Sequence, residues 1–335
     1  MSSLSSIIGH QQIVRMLKNS VQRERVAHAY LFMGPAGIGK YTVAQGFARL
    51  LLCEVPDKEE ACGNCRACRQ IDSGNHPDLH LLEPSGATLK IEQIRELQRQ
   101  VQYKPFQAPR HVFIIEKAEA MTQEAANCFL KTLEEPGSQT VFILLSDQPY
   151  GLLPTILSRC QQLQFRPLSN QEVSKGLVTL GKIAVEQAQA VAPLAGGSLG
   201  RALKLTGGEE QWPRRAKALG WLRRLPQMGQ YQALQAAEEL ATDRNEAVEC
   251  LEIMLFWFRD LLVYHYTGQR KVLNNQDKMD DLLSQANCYM PGKLVQIIEE
   301  IKLAKEKILA NANTRMTLEV MLLKIHSDGG NDYVS

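Results

Sequence analysis

Short apolar runs alternate with amphipathic segments along the first half of the chain. Runs of strand length lie at residues 29–32, 79–82, 112–115, 141–145 and 163–165. Segments with helical periodicity lie at residues 40–52, 91–103 and 123–134, and the last of these is followed by Pro136-Gly137. Strands that alternate with helices in this way predict a parallel sheet whose faces are covered by helices.

The pattern changes after Arg166-Pro167, beyond which no strand-like run follows. Residues 169–205 predict a small helical unit, in which Gly196-Gly197-Ser198 supplies a turn and a helix N-cap. The next predicted boundary is Gly207-Gly208, and the remainder of the chain predicts helices. The expected organisation is therefore three domains, at residues 1–167, 168–207 and 208–335.

Two features of the helical remainder predict buried helices. One is an apolar stretch at residues 251–258, which ends at Arg259-Asp260 and is too short to cross a bilayer. The other is a helical face, apolar apart from one lysine, that consists of Leu294, Ile297, Ile298, Ile301, Lys305 and Ile308. The sequence thus predicts helices that pack on one another and no membrane-spanning segment.

Composition and charge narrow the class of protein. The 335 residues are 44% hydrophobic and 22% charged, as in ordinary globular proteins, and 38 basic against 36 acidic residues leave a net charge of +2. Because this balance attracts nucleic acid only weakly, we expect contact with DNA to be local or shared with partners. The first nine residues show no signal peptide, and eight cysteines, four of them clustered, favour metal binding in a reducing compartment. We therefore expect a cytoplasmic protein.

A glycine-rich segment follows the first predicted strand and opens the next predicted helix. It reads GPAGIGK over residues 34–40. Gly34, Gly37 and Gly39 would let backbone N–H groups surround phosphate oxygens, and Lys40 would reach the terminal phosphates. The sequence predicts a nucleotide-binding loop here, and the alternative is a glycine-rich turn that holds no ligand.

Two positions depart from what ATP hydrolysis requires. Tyr41 replaces the serine or threonine whose short hydroxyl ligates magnesium, and Thr42, the next hydroxyl, is rotated by about 100° around the helix. Lys117 follows Glu116 where a carboxylate would orient the attacking water, and a cation cannot accept a proton from that water. Lys117 and Glu119 are expected to form a solvated charge pair. Binding of ATP remains compatible with the intact glycines and lysine, whereas hydrolysis is not expected.

Four clustered cysteines have the spacing C-x8-C-x2-C-x2-C, at Cys53, Cys62, Cys65 and Cys68. Four thiolates can complete a tetrahedral Zn²⁺ site with no open position, which makes the metal structural. The alternative is an iron–sulfur cluster, but a ferredoxin-type run needs cysteine and proline where Asp72-Ser73 stands. The sequence predicts a zinc module near residues 53–78.

Two further patterns favour structural roles over chemistry. Residues 196–200 fit the nucleophile pattern G-x-S-x-G, but the preceding residues 191–195 have a helical pattern where that pattern needs a strand. A basic stretch is interpreted as a solvated helix face, in preference to a contact with DNA or a partner. It consists of Arg214, Arg215, Lys217, Arg223 and Arg224.

The motifs occur in an order that resembles a known family. Besides the glycine loop and the cysteines, the chain carries HAYLF at residues 28–32, FLKTLEEP at 129–136 and ILSRC at 156–160. Together they resemble the AAA+ clamp-loader subunits of bacterial DNA polymerase III, over residues 1 to about 207. The resemblance implies an α/β fold: an AAA+ core with a parallel sheet and a zinc-binding insertion, a small helical lid and an all-helical collar domain.

The resemblance also implies a function. In this family the subunits that hydrolyse ATP keep intact nucleotide motifs, and one kind of subunit is a stator that does not hydrolyse it. Tyr41 and Lys117 depart from the active pattern, and the lid motif G-S-x-R has Gly200 in place of its arginine, with Arg201 shifted by one. These departures imply the stator type. The Ser-Arg-Cys motif implies that Arg159 is an arginine finger for the phosphoryl group in a neighbouring subunit.

The implied setting is a hetero-oligomeric machine. The resemblance implies that the collar joins other clamp-loader subunits, and that the assembly places the sliding clamp on primed DNA as part of a DNA-directed DNA polymerase holoenzyme. Two rival functions remain: an active ATPase subunit in which Glu116 holds magnesium, and a zinc-dependent module whose cysteines contact DNA. No aromatic residue lies between Cys53 and Cys68, so base stacking by such a module is unsupported.

Overall fold

The computed structural model describes residues 3–57, 60–137, 139–206 and 211–327. The chain divides into two compact units. The first comprises Met1–Gly176 and Gly197–Gly200, and the second comprises Leu177–Gly196 and Arg201–Ser335. The three-domain organisation stays a prediction, and its boundary at Gly207-Gly208 lies outside the described residues.

Five parallel strands form the sheet of the first unit, in the order β2-β3-β4-β1-β5. They are β1 (Ala29–Met33), β2 (Leu79–Leu82), β3 (His111–Ile115), β4 (Thr140–Ser146) and β5 (Gln161–Gln164). The predicted parallel sheet is confirmed. β5 begins earlier than expected because the polar residues Gln161 and Gln162 pair with β1 at the open edge of the sheet.

Helices cover both faces of this sheet. They are α1 (Gln11–Gln22), α2 (Lys40–Leu52), α3 (Arg66–Asp72), α4 (Ile91–Gln102), α5 (Gln123–Glu134) and α6 (Pro154–Leu157). On one face Tyr30 of β1 packs edge-on against Phe47 of α2, and on the other Phe142 of β4 packs edge-on against Phe129 of α5. Burial on both faces explains why the central strands are continuously apolar.

The described residues of the second unit are helical. α7 (Asn170–Gly181) runs from the first unit into the second. The helices that follow are α8 (Val185–Val191), α9 (Leu199–Thr206), α10 (Gln211–Arg224), α11 (Gln230–Leu240), α12 (Arg244–Thr267), α13 (Met279–Ala286), α14 (Pro291–Leu309) and α15 (Thr314–Ser327). Within the described residues, no helix combines the length and the apolar character that a membrane span requires.

The two predicted buried helices are α12 and α14. Leu251, Trp257 and Phe258 of α12 are almost fully buried in the core of the second unit. α14 buries the predicted apolar face, and its Lys305 pairs with Glu252 of α12 at 2.6 Å. Lys305, the one lysine on this apolar face, therefore forms an ion pair at the edge of the contact between α12 and α14.

The basic stretch of α10 does not form the expected solvated face throughout. Arg215 is only 5% exposed. Its terminal nitrogens donate to the carboxylate of Asp277 at 2.7 and 2.9 Å and to the side-chain oxygen of Asn275 at 3.0 Å. The expectation was wrong for this residue because its partners lie about 60 positions further along the chain. The side chain of Arg214 lies outside the described residues.

Candidate phosphate loop, metal centre and arginine site

The glycine-rich segment forms a loop between β1 and α2, in the context that the sequence predicts. Gly34 begins the loop at φ 151°, and a Cβ atom there would lie 2.5 Å from the carbonyl oxygen of Phe165. A side chain at this position would therefore collide with the backbone that follows β5. Gly37 and Gly39 also have positive φ, at 72° and 105°. At these three positions any residue other than glycine would therefore be in a strained backbone conformation.

Lys40 is folded back onto its own loop. Its Nζ donates to the carbonyl oxygens of Gly34 and Pro35 at 2.6 and 2.8 Å, and to Oδ1 of Asp147 at 2.6 Å. A lysine ammonium has three donors, so these three acceptors use all of them. The side chain is only 6% exposed. The cation that would bind terminal phosphates is therefore neutralised by a carboxylate of the same chain.

The next three carbonyl groups of the loop also have partners within the first unit. The carbonyl oxygen of Ala36 accepts from Ser198 Oγ at 3.0 Å, and that of Gly37 accepts from the Gly200 N–H at 2.8 Å. His10 Nε2 lies 2.9 Å from the carbonyl oxygen of Ile38, and burial lowers the pKa of this histidine. Residues 198–200, at the start of α9, thus pack directly on the loop.

Gly200 stands where the family motif has arginine. A Cβ atom at Gly200 would lie 3.1 Å from both Cα and the carbonyl oxygen of Gly37, so the close approach of the two backbones favours glycine. Arg201, the shifted arginine, belongs to the second unit. There its guanidinium lies 4.3 Å from the ring centre of Phe256 and 3.4 Å from Glu252.

Tyr41 and Thr42 open helix α2 directly after Lys40. The Tyr41 Oη accepts a hydrogen bond from Gln45 Nε2 at 2.7 Å, and burial, followed by the charge of Glu116, raises the pKa of the phenol. Thr42 is exposed on α2. A short hydroxyl directly after the lysine is the ordinary magnesium ligand of such loops. The tyrosine instead directs its oxygen to the next turn of its own helix.

The segment after β3 lacks a water-orienting carboxylate at the expected position. Burial, followed by the charge of Glu83, raises the pKa of Glu116. Lys117 has a left-handed backbone at φ 47° and an exposed side chain. This position therefore presents a cation.

Glu119 does not form the expected pair with Lys117. Its Oε1 accepts the backbone N–H of Asp147 at 3.1 Å, and its buried Oε2 has no hydrogen-bond partner among the described residues. The expectation was wrong because β3 and β4 are neighbours, which brings the segments after them together. Glu119 thereby holds the backbone of the residue that binds Lys40.

The four cysteines of the insertion converge on one point. Cys53 ends α2 and Cys65 caps the N-terminus of α3. The sulfur atoms of Cys53, Cys62, Cys65 and Cys68 all lie within 4.8 Å of one another, and those of Cys53 and Cys65 are 3.9 Å apart. Tetrahedral zinc with Zn–S bonds of about 2.3 Å requires sulfur atoms about 3.8 Å apart. The donor set therefore fits a structural tetrahedral metal.

The protein around the cysteines also suits thiolates. The N–H groups of Cys62, Cys65 and Cys68 donate to the preceding cysteine sulfurs at 3.3, 3.3 and 3.4 Å. Backbone hydrogen bonds lower the pKa of Cys62 to about 6, whereas burial raises the pKa of Cys53 to about 12. A metal ion would supply the positive charge that the buried sulfur needs in order to ionise.

Arg49 links the two helices that carry the cysteines. Its Nη2 donates to Asp72 Oδ2 at 2.8 Å, and the arginine is only 8% exposed. α2 carries Cys53 at its end, and α3 carries Cys68. This ion pair, which the sequence did not predict, therefore fixes the relative position of two metal-ligand candidates.

Arg159 forms a separate site between α6 and β5. Its Nη2 lies 2.6 Å from Oε1 of Glu134, at the end of α5, and its Nη1 donates to the carbonyl oxygen of Thr155 at 3.1 Å. The guanidinium side chain is 35% exposed. The arginine is thus oriented by two neighbours and still reachable from outside.

The structure brings the predicted site residues together in three groups: the phosphate loop, the cysteine cluster and Arg159. Sequence reasoning missed Asp147, which lies 107 positions from Lys40. One signal could have found it. Asp147 follows a predicted strand of a parallel sheet, and the carboxyl ends of such strands meet at the edge where ligands bind.

Two family profiles match this chain. One, described as "DNA polymerase III, delta subunit", matches residues 9–169. The other, described as "DNA polymerase III, delta subunit, C terminal", matches residues 209–327. The two matches together span most of the sequence.

Relatives with similar sequences carry related names. The chain is 30% identical over 317 residues to DNA polymerase III subunit delta' of Bacillus subtilis, covering 94% of this chain and 95% of that one. It is 35% identical over 312 residues to the subunit delta' of Pseudomonas aeruginosa, covering 90% and 92%. It is 27% identical over 346 residues to the subunit tau of Bacillus subtilis, covering 95% of this chain and 60% of that one.

Proposed function

This chain belongs to the family of DNA polymerase III delta-prime subunits, and from this premise we propose that it is a non-hydrolysing stator of a hetero-oligomeric clamp loader. In this role it helps to place the sliding clamp on primed DNA in the cytoplasm. It contributes Arg159 in trans to the ATP of a neighbouring subunit. ATP turnover belongs to its partners.

The observation that carries the stator role is the state of the nucleotide site. The position after Lys40 offers a tyrosine whose oxygen accepts from Gln45, and the position after Glu116 offers an exposed lysine. Hydrolysis needs a held magnesium ion and an oriented water, and each of these two substitutions removes one requirement. The rival function, an active ATPase subunit, would need both to be supplied by other groups.

The place of Arg159 in the sheet supports action in trans. The phosphate loop follows the end of β1, whereas Arg159 precedes the start of β5, and these two strands are parallel neighbours. A strand of four residues spans about 13 Å, so the arginine and the loop lie toward opposite ends of the sheet. The guanidinium is therefore poorly placed for its own loop and available to another subunit.

The second unit offers a surface for partner subunits. Leu303 of α14 and Met316 and Val320 of α15 are 40%, 63% and 49% exposed, and they line one shallow groove. Exposed apolar side chains that cluster in this way are typical of protein interfaces. This groove supports assembly with other clamp-loader subunits through the helical collar.

Zinc is the metal that we assign to the four cysteines. The sulfur separations match tetrahedral zinc, and a site with four protein ligands leaves no position for substrate. Its role is to hold the insertion in one conformation. The alternative in which this module reads DNA lacks an aromatic stacking residue between Cys53 and Cys68.

Reconstitution with the hydrolysing partner subunits tests the proposal. Arg159→Ala should lower clamp-stimulated and DNA-stimulated ATP turnover severalfold or more, because an arginine finger stabilises charge in the transition state. Arg99→Ala, at a 72% exposed arginine of α4, is the matched control and should leave turnover unchanged. Gel filtration should show intact assembly for both variants. Full turnover with Arg159→Ala would refute the finger role, and ATP hydrolysis by the purified chain that is lost on Lys40→Ala would refute the stator role.

A further inference from the structure

Asp147 occupies a fixed place beside the phosphate loop. It directly follows β4, and the preceding residue Ser146 accepts the Gly34 N–H through its carbonyl oxygen at 3.2 Å. The backbone N–H of Asp147 itself donates to Glu119 Oε1 at 3.1 Å. Bonds on both sides of the peptide thus hold the aspartate where its carboxylate meets Lys40.

The carboxylate of Asp147 binds Lys40, the residue that a bound phosphate would need as its partner. The Nζ of Lys40 donates its three hydrogen bonds to Gly34, Pro35 and Asp147, and only Asp147 among these acceptors carries a negative charge. A triphosphate would have to displace this carboxylate from the lysine. It would also leave two anionic groups side by side at a site that is only partly open to water, and such like-charge contact is unfavourable.

We propose that Asp147 is an internal substitute for phosphate and is the residue that excludes nucleotide from this loop. This inference deepens the proposed stator role and rests on it for its biological meaning. The remaining features of the loop are those of a binding site: three glycines, a helix N-terminus and a lysine. The departure at Tyr41 removes a magnesium ligand but does not fill the place of a phosphate.

Residues 198–200, at the start of α9, reinforce the exclusion of nucleotide. Ser198 Oγ and the Gly200 N–H donate to the carbonyl oxygens of Ala36 and Gly37, so the middle of the loop is also held in place. Glu116 is a further acidic residue near Asp147. Burial, and then the neighbouring charges of Glu83 and Asp147, raise the pKa of Glu116. A ligand with several negative charges would enter a site that already holds carboxylates.

The test is nucleotide binding by Asp147→Asn. Asparagine keeps the shape and an oxygen acceptor for Lys40 but removes the negative charge. Titration of the full chain with a fluorescent ATP analogue should give a dissociation constant at least tenfold lower for Asp147→Asn than for the wild type. Asp280→Asn, at an exposed position of α13, makes the same change of charge and should bind like the wild type. Adding Lys40→Ala to Asp147→Asn should abolish the gained binding.

One result would overturn the inference: a folded Asp147→Asn, with the circular dichroism of the wild type, that binds the analogue no better than the wild type does. This includes the case in which the wild-type chain already binds the analogue tightly and loses that binding on Lys40→Ala. If Asp147→Asn fails to fold, Asp147→Ser is measured in its place with the same expectations.

The result of the nucleotide titration can be separated from that of the turnover experiment that tests the stator role. Binding is measured on this chain alone, whereas the contribution of Arg159 is measured as turnover by partner subunits. Gained binding without hydrolysis would support both proposals. Unchanged binding together with loss of partner turnover in Arg159→Ala would overturn only the role of Asp147.

Discussion

Arg159 and Glu134 form an ion pair in which Nη2 of the arginine lies 2.6 Å from Oε1 of the glutamate. The glutamate ends helix α5, and the arginine precedes strand β5. The pair therefore connects two elements and holds an exposed guanidinium in one direction. If Arg159 acts on a neighbouring subunit, Glu134 is its positioning residue.

Replacing Glu134 by alanine should weaken the action of Arg159 without removing it. An exposed ion pair is worth up to about 1 kcal/mol, so we expect partner ATP turnover in the reconstituted complex to fall by about twofold to fivefold. Glu135→Ala, at the adjacent exposed glutamate, is the control and should have no effect. A further fall when Glu134→Ala is added to Arg159→Ala would contradict a role through the arginine, because a residue that acts only by positioning Arg159 has no effect once Arg159 is absent.

Replacing Cys65 by serine should release the metal. A structural zinc site needs all four thiolates, so the metal content should fall from about one zinc ion per chain to a small fraction of that. Elemental analysis of the purified chain measures this, and limited proteolysis should show new cleavage near residues 53–78. Cys288→Ser, in the second unit, should keep the full metal content. Full zinc content in Cys65→Ser would show that this thiolate is not a ligand.

Alanine at Gly197 should destabilise the first unit. Gly197 has φ 79°, and a Cβ atom there would lie 2.6 Å from Pro167 Cβ and 2.7 Å from the carbonyl oxygen of Leu168. We expect the free energy of unfolding to fall by about 1–3 kcal/mol, measured by urea denaturation. Gly220→Ala, in helix α10 with open space around the new methyl group, should instead raise it by about 0.5–1 kcal/mol. Equal effects of the two substitutions would contradict this explanation.

His80 should make the first unit less stable in mild acid. Burial, with a further contribution from His111, lowers the pKa of His80 to about 4 from an ordinary value of 6.5. Between these two values the unfolded chain binds the proton and the folded chain does not, so stability is complete above about pH 6.5 and falls as the pH is lowered toward 4. Because the ring is partly exposed, we expect a loss of about 1 kcal/mol.

The comparison of His80→Gln with the wild type isolates this contribution. Urea denaturation at several pH values between 6.5 and 4 should give a flatter dependence for His80→Gln. His28→Gln, at an exposed histidine before β1, should keep the slope of the wild type. A wild-type slope in His80→Gln would show that this ring does not contribute.

Much of the first unit could be predicted from local pattern. Strands buried on both faces are continuous apolar runs, and a phosphate loop and a cysteine cluster are short motifs that depend on neighbouring residues only. Predicted helix 40–52 and predicted strand 79–82 agree with α2 and β2. β5 was harder because it lies at the edge of the sheet, where Gln161 and Gln162 pair through their backbones with no apolar signal.

The charged contacts could not be predicted in the same way. Lys40 and Asp147 are 107 positions apart, and Arg215 and Asp277 are 62 apart. An ion pair leaves no periodic trace in the sequence, because an aspartate that meets a buried lysine or arginine cannot be told by its residue type from one that meets only water. The order of the strands and the packing of the helices decide which acid meets which base.

The four cysteine sulfurs come from a stretch of only sixteen residues, Cys53 to Cys68. Closing so short a loop costs little entropy, and only α2 and α3 carry the ends of the stretch. During synthesis, this stretch is made before β2, β3, β4 and β5. Metal capture can therefore come before the sheet is complete, so that the supply of metal in the cell would act on the nascent chain and not only on the finished subunit.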